Sequence, residues 1–68
     1  MAGKEITTLR FKDAESKEQS VAIVRTSAAA VGLCLSVEKD GDVEVFLSVA
    51  DCKKLIEALQ EAIRTQKS

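Results

Sequence analysis

Two stretches of strict apolar–polar alternation, separated by Lys39-Asp40-Gly41, constrain this chain more than any other feature. In Val31 to Lys39, Val31, Leu33, Leu35 and Val37 share one face and Gly32, Cys34, Ser36 and Glu38 the other. In Asp42 to Ser48, Val43, Val45 and Leu47 stand against Asp42, Glu44 and Phe46. A period of two is that of a half-buried strand, so the pair predicts a β-hairpin. A two-residue Asp-Gly loop would set Val37 beside Glu44 and mix the two faces. A three-residue loop pairs Glu38 with Asp42, Val37 with Val43, Leu35 with Val45 and Leu33 with Leu47. The pattern selects the second register, because a one-residue slip inverts a whole face. The turn that fits places Gly41 in the left-handed region as a G1 bulge.

Two more strands precede the hairpin. Glu5 to Phe11 is rich in β-branched and aromatic residues, and Ser20 to Thr26 is apolar on both faces at its centre. The polar run Lys12 to Gln19 connects them, and the small residues Ser27 to Ala30 lead onward. Ser48 followed by Asp51 is a variant of the capping box and opens one helix. Along it Cys52, Leu55, Ile56, Leu59 and Ile63 recur at helical spacing, flanked by Ala58 and Ala62. The expectation is an α+β fold in which a four-stranded antiparallel meander precedes one C-terminal helix (ββββα) within a single domain, residues 1–68. Residues 1–4 and 65–68 are expected to be loose ends. The helix would pack on Leu9, Phe11, Val21, Ile23, Val31, Leu33, Leu35, Val37, Val43, Val45 and Leu47. One helix is about 10 Å wide and four strands at roughly 4.8 Å are wider, so it cannot cover that face completely.

Size and residue inventory narrow the function. A chain of 68 residues is marginal as a lone fold, and such domains are reinforced by disulfides, a metal or a second subunit. The chain has no His and only two Cys, too few ligands for a tetrahedral metal site within one chain. The expected strand and helix place Cys34 and Cys52 on opposite sides of the sheet, so both are expected as free thiols, in keeping with a reducing, cytoplasmic setting. Self-association remains as the reinforcement. The absence of His, Trp and Tyr removes the usual general base and most aromatic platforms, and no enzyme activity or cofactor is expected. Cys52 in the first helical turn lies on the apolar stripe and reads as structural. Asp40, Asp42 and Glu44 surround the hairpin tip without the ligand spacing of a calcium loop. No apolar stretch approaches membrane-spanning length, and no basic segment followed by an apolar one opens the chain.

The other sheet face is expected to carry Ile6, Thr8, Arg10, Ala22, Val24, Gly32, Cys34, Ser36, Glu44 and Phe46. Its centre is small and mildly apolar inside a charged rim, the composition of an interaction patch. Ala22, Val24, Gly32, Cys34 and Phe46 are therefore the expected interface of a homodimer or, failing that, of another protein partner.

Four antiparallel strands, the last running through Leu47-Ser48 into a helix, resemble in topology the positive transcriptional coactivator and purine-rich-element-binding families. The resemblance implies dimerisation and single-stranded nucleic-acid binding on a surface with basic and aromatic residues. Lys4, Arg10, Lys12 and Phe46 are the positions it points to. A net charge of −1, with Asp42 and Glu44 beside Phe46, works against that alternative.

Overall fold

A computed structural model of the chain describes residues 3–67. The chain runs β1 (Glu5–Lys12), β2 (Gln19–Ser27), β3 (Ala30–Val37), β4 (Gly41–Leu47) and α1 (Val49–Lys67). The strands form one open antiparallel sheet in the order β1-β2-β3-β4, as short connections between neighbours require. This is the α+β, ββββα architecture that the alternation and the single amphipathic stripe predict. α1 begins where Ser48 Oγ accepts the Asp51 N–H at 3.1 Å, the N-cap bond that satisfies one orphan donor of the first turn.

Paired residues in the register share a face. One side carries Phe11, Ser20 and Val37, then Leu9, Ala22, Leu35 and Val43, then Thr7, Val24, Leu33 and Val45, then Thr26, Val31 and Leu47. None of these residues is charged. The other side carries Arg10, Val21, Ser36 and Asp42, then Thr8, Ile23, Cys34 and Glu44, then Arg25, Gly32 and Phe46. All the charge within the paired region from Thr7 to Phe46 thus falls on one side. The helix packs on the uncharged side.

Three expectations change. β2 has the opposite phase: Ala22 and Val24 face the helix, and Val21 and Ile23 lie on the other side. Arg25 explains it, since the expected phase would have put its guanidinium under the helix. The hairpin ladder is shifted by two residues, with Leu35 opposite Val43, Leu33 opposite Val45 and Val31 opposite Leu47. The turn closes one residue earlier than expected, through the Asp40 N–H on the Val37 carbonyl at 3.1 Å. Glu38 is unavailable to β4, because its N–H donates to the Gln19 carbonyl on β2 at 3.1 Å. An even shift leaves both faces intact, and Gly41 still takes the expected left-handed conformation at φ 79°. The ends are also more regular than expected. Lys4 exchanges hydrogen bonds with Thr26, its carbonyl accepting the Thr26 N–H at 2.7 Å and its own N–H donating to Thr26 Oγ1 at 2.9 Å. At the other end α1 continues through Thr65 to Lys67. The expectation of loose ends at residues 1, 2 and 68 falls outside the described residues.

β1 carries a bulge at Ile6: Glu5 opposes Arg25 and Thr7 opposes Val24, leaving one residue unpaired. A bulge on an edge strand, together with Arg10 and Lys12, is a device against edge-to-edge pairing.

Candidate functional site

The surfaces open to partners follow from how little the helix covers. α1 approaches the sheet at its Val31–Leu47 end and reaches across to Val24 on β2. Its N-terminal half leans over the sheet and leaves an apolar groove of about 290 Å³, lined by Val24, Val31, Leu33, Leu47, Cys52, Leu55, Ile56 and Leu59. Beyond the groove the uncharged face lies bare. Leu9 is 57% exposed and Leu35 and Val43 are also exposed, as are Leu59 and Ile63 on the helix stripe. No hydrophobic side chain among the described residues is buried. The residues assigned from the sequence to a core are thus brought to one side of the molecule, and much of that set stays open to solvent. Leu9, Phe11, Leu35, Val43 and Val45 stay on the surface although their alternation assigns them to the core. The width of one helix against four strands was the signal for them.

The opposite side has a different character. Gly32, Arg25 and Phe46 share a row, and a Cβ on Gly32 would lie 3.1 Å from Phe46 Cε1 and 3.0 Å from Arg25 Cγ. Phe46 therefore lies over the glycine, an aromatic covering backbone that has no side chain of its own. Arg25 Nε sits 3.5 Å from Glu44 Oε2 and forms a half-exposed ion pair. Cys34 is half-buried between Ile23 and Glu44 in the ladder.

The five expected interface residues are accordingly divided. Gly32, Cys34 and Phe46 lie on the open side, whereas Ala22 and Val24 lie on the helix side, Val24 within the groove. The four positions named for nucleic acid are not assembled either. Arg10 and Lys12 belong to β1 at one edge and Phe46 to β4 at the other, about 14 Å away across three strand spacings. Lys4 precedes β1, where its backbone ties to Thr26. Glu44 and Asp42 stand nearer to Phe46 than these cations do.

Among the described residues no three His, Cys, Asp or Glu side chains form a cluster able to hold a metal ion. None of their helices is long and apolar enough to cross a membrane. Cys34 and Cys52 are both free thiols. The fold and its bare apolar side define a small α+β sheet domain; in comparison with protein-family models, curated proteins and solved structures, the chain matches none.

Proposed function

We propose that this chain is a non-enzymatic binding or structural module that self-associates into a homodimer through its sheet. One observation carries the reading: a folded chain that buries no hydrophobic side chain among its described residues has no hydrophobic core of its own, and burial of apolar surface is the main favourable term in folding. A second chain supplies the missing contacts. The residue inventory supports binding over catalysis, since there is no His to serve as a base at neutral pH. Two free thiols fit a reducing, cytoplasmic setting.

Sedimentation velocity over a concentration series tests the reading. A species of twice the 7.3 kDa chain mass is expected at micromolar concentration. A monomer at high micromolar concentration overturns it.

A further inference from the structure

We propose that the helix side of the sheet is the self-association surface, and that α1 of a second copy lies over the part its own helix leaves bare, around Leu9, Leu35 and Val43. This rests on the self-association proposed above and specifies where it occurs. The sheet is about 19 Å across its four strands, room for two helices of about 10 Å each. Its own helix covers only the Val31–Leu47 end of the sheet, reaching Val24 and Leu33. The bare part presents Leu9, Phe11, Leu35, Val43 and Val45, and no charged residue lies on that side within the paired region from Thr7.

The helix has the matching surplus. At 100° per residue its apolar arc, from Ala62 through Leu59 and Ile63 to Val49, spans about 140°. Ile56, Leu59 and Ile63 remain more than half exposed. Each copy is short of one helix and holds apolar helix surface to spare. A two-fold exchange, in which each helix packs on both sheets, meets both deficits at once.

The areas agree. A monomeric protein of this mass should expose about 4,200 Å², and the chain exposes 5606 Å². The excess of about 1,400 Å² falls in the range of roughly 1,000–2,500 Å² that each partner buries in an obligate dimer. A small apolar ligand in the groove would leave Leu9 and Phe11 bare. Edge pairing is the weaker route to a dimer: β1 is bulged and basic, and two β4 edges would bring Asp42 and Glu44 against their own copies.

The test compares both sides of the sheet. Leu9→Lys is expected to raise the dimer dissociation constant about 100-fold or more, the effect of an unpaired charge in a buried interface. Ser36→Lys, on the open side, is expected to leave it within about twofold. A second measurement does not depend on the folding of a substituted sheet. A 15N-labelled chain is mixed with unlabelled chain carrying a nitroxide at Gln60→Cys, both as Cys34→Ser, Cys52→Ala variants. Cross-chain broadening is expected to be strongest around Leu9, Leu35 and Val43. A wild-type monomer in sedimentation defeats self-association itself. A dimer that survives Leu9→Lys, or whose broadening centres on the Val31–Leu47 end, keeps self-association and overturns this placement.

Discussion

Asp13 shows how a half-exposed turn residue can be structural. Its Oδ2 accepts the Ser16 N–H at 2.8 Å and the Glu15 N–H at 3.0 Å, while its own N–H donates to the Glu18 carbonyl at 2.9 Å. These bonds close the β1–β2 connection through Lys17, which takes a left-handed φ of 67°. The backbone N–H groups of Ser16 and then Glu15 hold the Asp13 carboxyl below its ordinary range, because they bond its charged form. A depressed folded-state pKa contributes stability that is fully present above the unfolded value and is lost as pH falls through the folded one. In an NMR titration Asp13 is expected to have its midpoint below that of the same residue in an unfolded peptide. Asp13→Asn, which cannot titrate, should flatten the acid limb of the stability curve. An unchanged acid limb would remove Asp13 from that role. An Asp with Ser three residues on is a signature of such a turn, so the tie was legible within a run otherwise read only as polar.

At the level of elements, the sequence conveyed kinds and order better than phase. The four strands and the helix follow from period, turn residues and the Ser48 cap. β2 was ambiguous because Val21, Ala22, Ile23 and Val24 are all apolar, so size alone favoured Val21 and Ile23 inward. The charge of Arg25 decides otherwise, and it holds its guanidinium beside Glu44 on the open side. The hairpin register depended on a bond the alternation does not encode, the Glu38 N–H to the Gln19 carbonyl. The candidate site inherits the first effect, since Ala22 and Val24 change sides, while the incomplete cover of the inner face follows from the width of one helix against four strands. Among these elements α1 depends most on its cap, since Leu55, Ile56, Leu59 and Ile63 on its apolar stripe all stay exposed. Ser48→Ala is expected to cost about 1 kcal/mol in urea unfolding, with helical ellipticity reduced. A loss within error would mean that packing alone fixes the helix start.

The whole molecule is extended for its length. It measures 40 × 29 × 16 Å with a radius of gyration of 13.5 Å, against about 11 Å for a compact domain of this size. In an open plate of this kind the unburied leucines and valines contribute little against the entropy of ordering the chain. In the dimer proposed here, folding and association become one equilibrium, and mass action ties stability to concentration. With roughly 2.1 cal/mol/K of unfolding entropy per residue over two chains, a tenfold rise in concentration should raise Tm by about 5 °C. Calorimetry over a hundredfold range of concentration measures this directly. A Tm that stays constant would show that the single chain carries its own stability, and the bare apolar side would then need another explanation.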